Sequence, residues 1–471
     1  MEELLKSLQE LLAIESVARR DQEKPFGNGV AQALDYTLSL CQRMGFHTKN
    51  ADGLYGYAEI GEGAEIIGCL GHLDVVPAGD GWHYPPYAGT IDGGRLYGRG
   101  TIDDKGPTLI ALFAAHDVAQ AYERAGKPMP RRIRFIFGQT EESGPWDDMA
   151  AYVAHEEPVR FGFTPDADFP AIYCEKGILR LHLTMPLTGS GILDAKGGTV
   201  VNMVPDACTV TTAAGTYQAA GKCAHGSTPW RGENAIDRAM EQLPAESGPF
   251  AAAYRALFGS DVYGKKLGIA MTSPDSGPLS MNVGLLRVED GLIRLSVDIR
   301  HPETAAADHI AETVRRAVEP YGFTLAPIHP EKSVYQDKNG PVMQSLLAAY
   351  RQETGDLSAP LAIGGGTYAK AMENIIAFGP VFPGEESREH QADEYIALDN
   401  IERLRRIYAQ AFQNLLALEG VIKHIRQAGG ELPAGYPHAA APVTGTDKAG
   451  AVDIALIGGQ HQRADPVGVP V

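Results

Sequence analysis

The chain has 471 residues, of which 44% are hydrophobic and 21% charged, a balance typical of a globular protein with two or three domains. Its 59 acidic and 41 basic residues give a formal net charge of −18, which disfavours binding to nucleic acid or to an anionic membrane surface. The five cysteines are scattered, and no apolar run reaches about 18 residues, so we expect a cytoplasmic protein without a membrane span.

The first third of the chain alternates helix and strand patterns. It opens with an amphipathic helix, MEELLKSLQELLAIESV, rather than with a signal peptide. A buried strand follows in EIIGCLGHLDVV, then a helix in DDKGPTLIALFAAHDVAQAYERAG, and further strands in RRIRFIFGQT and RFGFTPDA. Strands that alternate with long helices predict a mostly parallel sheet covered by helices, which is an α/β fold.

The pattern changes near residue 177, where period-two alternation begins in GILRLHLTM and recurs in the pair SMNVGLLRV and LIRLSVDIR. With two helical stretches, these segments predict an inserted α+β domain. The chain then returns to the apolar strand NIIAFGPVF and to the helix LDNIERLRRIYAQAFQNLLAL, where Asp399 and Glu402 have capping-box spacing. The expected limits are 1–177 and 363–420 for the first domain, 178–362 for the inserted domain, and 421–471 for a disordered or loosely packed tail.

Acidic and histidine-bearing stretches follow the strands of the first domain where those strands should end. Because ligands gather outside the carboxyl ends of strands in open α/β sheets, we expect these stretches to converge. Crowded carboxylates repel one another, and a divalent cation would compensate their charge. Imidazole and carboxylate donors suit Zn²⁺, and a set this rich in carboxylates also admits Mn²⁺ or Co²⁺. The stretches are GHLD with His72 and Asp74, TIDDKG with Asp103 and Asp104, TEESG with Glu141 and Glu142, TPDADFP with Asp166 and Asp168, and SREHQADE with His390.

Charge counting favours two metal ions over one, because three carboxylates and one hydroxide balance two divalent cations. In this arrangement Asp103 bridges the two ions. His72 and Asp166 complete one site, and Glu142 and His390 complete the other. Two ions about 3.5–4 Å apart lower the pKa of a shared water and polarise a carbonyl group.

Two further carboxylates suit supporting roles in such a site. Asp74 lies two residues after His72 on the same strand face, so its carboxylate is placed to accept the second N–H of that imidazole. Glu141 is adjacent to a ligand and is placed to take a proton from the water. Each stretch alone has a simpler interpretation: Asp103 or Asp104 as an acid at a helix N-terminus, TEESG as a solvated turn. Their joint occurrence at strand ends favours a site.

Taken together, GHLDVVP, GRGTIDDKG, TEESG and HQADE resemble the signatures of the M20 family of di-metal peptidases and deacylases. Within the family the sequence is most similar to bacterial PepV-type dipeptidases, through GFTPDADFP, CEKGI, NMVP, AHGSTPWRGENA and IGGGTYAKAM. The resemblance covers roughly residues 1–418 and implies a zinc-peptidase-like catalytic domain with an inserted lid. It implies metal ligands at His72, Asp103, Glu142, Asp166 and His390, with Glu141 as the general base and Asp74 as the acid that orients a ligand.

The same resemblance implies what the lid contributes to the site. His225 of AHGSTP would reach over the site and polarise the scissile carbonyl, assisted by Asn202 of NMVP. Arg300 would hold the substrate carboxylate through its guanidinium fork, in a pocket lined by the backbone near Gly366. A lid of this length resembles the larger PepV-type module and implies a monomer.

The function that we expect is the hydrolysis of dipeptides with a free N-terminus by a hydroxide that bridges two metal ions, with Zn²⁺ as the first choice. An N-acyl-amino-acid deacylase of the same family shares the whole metal site and stays an alternative. A non-catalytic metal or peptide binder would lack Glu141 or a ligand, and the sequence lacks neither. A nucleotide-binding protein would need a phosphate loop that this sequence does not have. The expected partner is therefore a small peptide.

Overall fold

The computed structural model describes residues 1–20 and 24–418, which form two large sheets with helices packed against them. The tail predicted at 421–471 lies outside the described residues. Within the described part, no helix has both the length and the apolar character needed to cross a bilayer.

The part of the chain before residue 177 alternates helices and strands, as the sequence predicts. Each predicted apolar run is a buried strand, and the amphipathic start is a helix that buries its leucine face. The helices are α1 Glu2–Leu12, α2 Asn28–Arg43, α3 Lys105–Arg124 and α4 Asp147–His155; the strands are β1 His47–Ala51, β2 Tyr55–Ile60, β3 Ile66–His72, β4 Thr90–Asp92, β5 Arg95–Tyr97, β6 Arg132–Gly138, β7 Phe161–Thr164, β8 Ala167–Asp168 and β9 Ile172–Glu175.

The middle of the chain is built mainly from antiparallel strands, with helices covering one face. Its elements are β10 Gly177–Pro186, β11 Ile192–Gly197, β12 Ala207–Thr212, β13 Gly215–Ala220, α5 Ala235–Gln242, α6 Pro249–Leu257, β14 Thr272–Ser273, β15 Gly277–Pro278, β16 Ser280–Glu289, β17 Leu292–His301, α7 Ala307–Val318 and β18 Thr324–Leu325. The last described part contains β19 Val334–Tyr335, α8 Pro341–Thr354, β20 Leu361–Ile363, β21 Ile375–Ala377, β22 Pro380–Val381, β23 Tyr395–Ala397 and α9 Leu398–Ala417.

The first sheet has the strand order β1-β2-β6-β3-β7-β21-β9-β19, with β20 paired to β9. Its centre is parallel, because β3 pairs in parallel with β6 and β7, and β7 pairs in parallel with β21. The edges β1-β2 and β9-β19 are antiparallel. The predicted mostly parallel core sheet is therefore confirmed, and the carboxyl ends of its four central strands lie along one edge.

β3, with seven residues, is the longest strand of this sheet in which every residue is buried. Helix α3 packs across it next to Gly71, where a Cβ atom would lie 1.8 Å from the Oγ1 of Thr108. Glycine at this position therefore lets the helix approach the strand one residue before His72.

The second sheet has the order β13-β12-β11-β16-β17-β10-β18 and confirms a separate α+β unit. Its core joins strand residues such as Leu181 and Leu295 to helix residues such as Phe250 and Ile310, all of them buried. The sheet spans residues 177–325, while β19 already pairs with β9 of the first sheet and α8 packs against α9. The limits 178 and 362 of the inserted domain remain a prediction, and this sheet membership favours a return to the first domain at residue 334.

The capping box predicted for the last helix is wrong. Helix α9 begins at Leu398, the N-cap position is Ala397, and no side chain caps the helix. The reason is that β23 pairs with β5 as far as Ala397 and runs directly into the helix. Asp399 therefore lies within the first turn, where its charge complements the helix dipole.

Candidate active site

The carboxyl end of β3 presents His72, whose side chain is fully buried. Its Nδ1 lies 2.9 Å from the backbone carbonyl of Asp74 and 3.4 Å from the Asp74 carboxylate, so Nε2 faces the other acids. The closer partner is thus the carbonyl of Asp74 and not the predicted carboxylate. Both carboxylate oxygens of Asp74 are instead occupied, accepting the backbone N–H groups of Glu141 at 3.2 Å and of Glu142 at 3.1 Å.

Asp103 lies between two imidazole rings and gives one oxygen to each. Its Oδ1 is 2.9 Å from Nε2 of His72, and its Oδ2 is 2.9 Å from Nε2 of His390. The same His390 nitrogen is 3.0 Å from the carboxylate of Glu142, while Asp166 lies 3.7 Å from Nε2 of His72. The structure therefore brings together all five side chains that the sequence predicts as metal ligands.

Two overlapping groups of donors have the spacing of a metal site, with one ligand atom from each residue within 4.8 Å of the others. One group is His72, Asp103 and Glu142, and the other is His72, Glu141 and Asp166. The second group includes Glu141, for which the sequence predicts the role of base. Among the described residues Asp168 belongs to neither group, and its side chain is exposed.

Three acids of the cluster, Glu141, Glu142 and Asp166, have raised pKa values. Burial, followed by the charge of Asp103, raises the pKa of Glu142 to about 7 and raises the pKa of Asp166 well above its usual value. Burial also raises the pKa of Glu141. A divalent cation would compensate these carboxylates, so the donor set fits metal binding.

The two histidines, by contrast, favour their charged form, because their pKa values are also raised. Burial disfavours the charged imidazole of His390, but hydrogen bonds to Asp103 and Glu142 raise its pKa to about 12. Burial similarly disfavours ionisation of Asp103, yet hydrogen bonds from His390 and His72 hold its pKa well below the usual range. The two imidazoles and Asp103 thus form a tightly paired group.

For Asp104, the simpler interpretation as an acid at a helix N-terminus agrees better with the structure. It precedes helix α3, and its carboxylate accepts the backbone N–H of His72 at 3.2 Å and the hydroxyl of Thr108 at 2.8 Å. Asp104 therefore links the strand end to the first turn of the helix, while Asp103 turns towards the histidines.

The glutamate turn, which is the TEESG stretch with Glu141 and Glu142, is held in place by residues that the sequence pattern does not indicate. The buried carboxylate of Asp148 accepts the backbone N–H of Thr140 at 3.1 Å and the hydroxyl of Tyr368 at 2.6 Å. The ring of Tyr368 packs edge-on against His72, and the indole of Trp146 donates to the carbonyl of Glu141 at 3.0 Å. In the sequence Asp148 looks like an acid at a helix start and Tyr368 like a core aromatic, and no local pattern connects them.

On the inserted sheet, Arg300 lies on β17 and is almost fully buried. Its Nε donates to Asp298 at 2.9 Å, and its Nη1 donates to the carbonyl of Gly364 at 3.1 Å. The predicted pocket residue Gly366 follows two positions later, against the side chain of Lys370. Arg300 thus lies next to the glycine stretch 364–366, and the substrate-binding role of Arg300 and Gly366 stays a prediction.

His225 and Asn202 occupy neighbouring turns of the inserted domain. The carbonyl of Asn202 accepts the N–H of Gly226 at 2.6 Å, and Nδ1 of His225 lies 2.6 Å from the hydroxyl of Ser227. Part of the His225 side chain reaches solvent, but the protein around its ring, followed by the charge of Arg300, lowers its pKa to about 4. The imidazole is therefore neutral at physiological pH and available as an N–H donor.

A parallel sheet whose strand ends gather imidazole and carboxylate donors is an arrangement suited to metal-dependent enzymes. Within that class the chain belongs to peptidase family M20/M25/M40, whose family model matches residues 68–414. The predicted M20 membership, and with it a metallopeptidase, is confirmed. The narrower likeness to PepV-type dipeptidases stays a prediction.

Individual relatives agree with this assignment. The chain is 36% identical to "Putative dipeptidase YtjP" of Bacillus subtilis over 458 residues, which cover 88% of this chain and 97% of that protein. The M20 family metallo-carboxypeptidase Sso-CP2 from Sulfolobus solfataricus has a TM-score of 0.60 at 16% identity, over 89% of this chain and 100% of that one. The di-peptidase Dug1p from Saccharomyces cerevisiae has a TM-score of 0.58 at 15% identity, over 89% and 97%. These structural likenesses show the fold.

Proposed function

We propose that the protein is a dipeptidase that hydrolyses short peptides with a free N-terminus. The observation that carries this proposal is the position of Asp103, whose two oxygens each lie 2.9 Å from a different imidazole. A carboxylate shared in this way suits a pair of metal ions. The name of the Bacillus subtilis relative supports the substrate class.

Two divalent ions, Zn²⁺ in the first place, would be held by Asp103 together with His72 and Asp166 on one side and Glu142 and His390 on the other. Bound there, they would lower the pKa of a water molecule and polarise the peptide carbonyl. Glu141, whose backbone N–H is fixed by Asp74, is the general base. Its carboxylate accepts the proton of the water and passes it to the nitrogen of the leaving amine.

The inserted domain supplies the groups that recognise the substrate. Arg300 pairs with the C-terminal carboxylate of the peptide, since Asp298 and the carbonyl of Gly364 fix its guanidinium and leave further N–H groups for an anion. The neutral His225 donates an N–H to the oxygen of the scissile carbonyl, where negative charge develops, and Asn202 assists from the adjacent turn. The acids around Asp166 suit the ammonium group at the other end of the substrate.

We propose that one chain forms a complete site, so that the protein acts as a monomer. Arg300 of the inserted domain donates to the carbonyl of Gly364, and a Cβ atom on Gly364 would lie 2.8 Å from Cβ of Ser227, so lid residues and the glycine stretch of the same chain are neighbours. The five cysteines are free, which fits a cytoplasmic protein. Light scattering coupled to gel filtration tests the monomer, and a dimer mass would contradict it.

The decisive experiment is a dipeptide assay on metal-stripped protein to which Zn²⁺, Mn²⁺ or Co²⁺ is returned. We expect turnover of free dipeptides to be lost on stripping and restored by at least one ion. Each dipeptide is compared with its N-acetylated form. Preference for the acetylated form would replace the proposal by the deacylase, and no turnover of either with any ion would support a non-catalytic binder.

A further inference from the structure

A buried ion pair connects the two loops that carry Asp103 and His390. Arg99 belongs to GRGTIDDKG and Glu394 to HQADE, and neither has a part in the reaction proposed above. Arg99 is 1% exposed and Glu394 0%, and Nη1 of Arg99 lies 2.5 Å from the Glu394 carboxylate. Burying two charges in this way costs free energy, which their mutual attraction and further hydrogen bonds must offset.

The second oxygen of the Glu394 carboxylate holds the backbone that leads into Asp103. It accepts the N–H of Gly100 at 3.0 Å and the N–H of Ile102 at 3.0 Å. The carbonyl of Glu394 in turn accepts the N–H of Gly98 at 2.9 Å. One residue thus fixes the loop on both sides of Arg99 and up to the position directly before Asp103.

Asp393, the residue before Glu394, connects the segment that follows His390 to a neighbouring loop. The carboxylate of Asp393 accepts the backbone N–H groups of His83 at 2.8 Å and of Tyr84 at 3.3 Å. His390 and Asp393 both have left-handed backbone conformations, with φ of 61° and 56°, which side-chain-bearing residues seldom adopt. Such conformations persist where the surroundings determine them, and the hydrogen bonds of Asp393 to His83 and Tyr84 provide such surroundings at the end of this segment.

We propose that Glu394, held by Arg99, is a positioning residue that sets the separation between Asp103 and His390. It therefore determines the geometry of the ion site formed by Asp103, Glu142 and His390, without touching the ion or the substrate. This inference rests on the proposed function insofar as those three residues are taken as ligands. Groups behind metal ligands commonly change metal affinity by about 10–100-fold.

The test is a Zn²⁺ titration of the metal-free full chain in competition with a chromophoric chelator. For Glu394→Gln we expect the equivalent of Zn²⁺ held by Glu142 and His390 to bind about 10–100-fold more weakly than in the wild type, and the other, which shares only Asp103 with it, to lose clearly less affinity. The matched control is Glu59→Gln. It removes a largely buried carboxylate that lies 2.6 Å from the guanidinium of Arg134. Glu59 is on β2 and Arg134 on β6, both in the first sheet. Both Zn²⁺ affinities of this control should stay unchanged.

Two wild-type affinities in Glu394→Gln would overturn the inference, and so would an equal weakening in Glu59→Gln, because the loss would then reflect general destabilisation. Should Glu394→Gln fail to fold, Arg99→Lys keeps the charge and loses the guanidinium fork. The same selective weakening is then expected, and unchanged binding would overturn the inference. Failure of the proposed function gives a different result: the wild type would bind no pair of Zn²⁺ ions, or His390→Ala would bind both as tightly as the wild type.

Discussion

Two buried tyrosines differ in whether their hydroxyl groups have a hydrogen-bond partner. Tyr368 donates to the Asp148 carboxylate at 2.6 Å and accepts the N–H of Thr140 at 3.2 Å. Tyr408 is equally buried, but its hydroxyl has no partner among residues 1–20 and 24–418. Replacing each tyrosine by phenylalanine removes a hydroxyl that has hydrogen-bond partners in Tyr368 and none among the described residues in Tyr408.

We expect opposite signs for the change in the free energy of unfolding. A hydrogen bond to a charged group contributes about 1.5–3 kcal/mol, so Tyr368→Phe should lower the free energy of unfolding by about 2 kcal/mol. The loss stays in this range because Asp148 keeps its other donors, which include Gln139 and Met149. Tyr408→Phe removes a buried hydroxyl that has given up water without a replacement, so it should be neutral or stabilise by up to about 1–2 kcal/mol.

The measurement is urea unfolding of both variants and the wild type at one fixed Zn²⁺ concentration, followed by far-ultraviolet circular dichroism. Equal slopes against urea show that the unfolded states are comparable, so that the midpoints report stability. Two results would refute the argument that the hydrogen bond from Tyr368 to Asp148 stabilises the fold. One is an equal decrease in the free energy of unfolding for both variants, and the other is a Tyr368→Phe variant as stable as the wild type.

Further predictions concern the proposed reaction. Glu141→Gln should lower kcat by about 10²–10⁴-fold while the Zn²⁺ stoichiometry stays unchanged, and turnover near that of the wild type would exclude Glu141 as the base. Arg300→Met should raise KM for a free dipeptide far more than for the same peptide amidated at its C-terminus; equal effects on both would contradict carboxylate binding. Because the pKa of His225 is lowered to about 4, His225→Ala should lower kcat without removing any limb of the pH profile between pH 5.5 and 9. Chelation of the metal should lower the free energy of unfolding by about 2.7 kcal/mol per ion when free Zn²⁺ was 100 times its Kd, and an unchanged unfolding transition would argue against tight binding to the folded state.

The set of candidate ligands could be predicted because it depends on features visible in the sequence. Apolar runs directly before His72 and before the TEESG stretch indicate central strands, and the carboxyl ends of parallel strands meet at one edge. The role of Asp74 could be predicted only in part, because the backbone turns after His72 and places a carbonyl where the side chain was expected. The antiparallel edge strands and the contact of Tyr368 with Asp148 depend on packing between distant segments, which single-sequence periodicity does not report.

Asp74 connects the end of β3 directly to the glutamate turn. The strand carries His72, while the carboxylate two residues later grips the amides of Glu141 and Glu142. A displacement of the strand end is therefore expected to move His72, Glu141 and Glu142 together, so that the distances between these side chains change little.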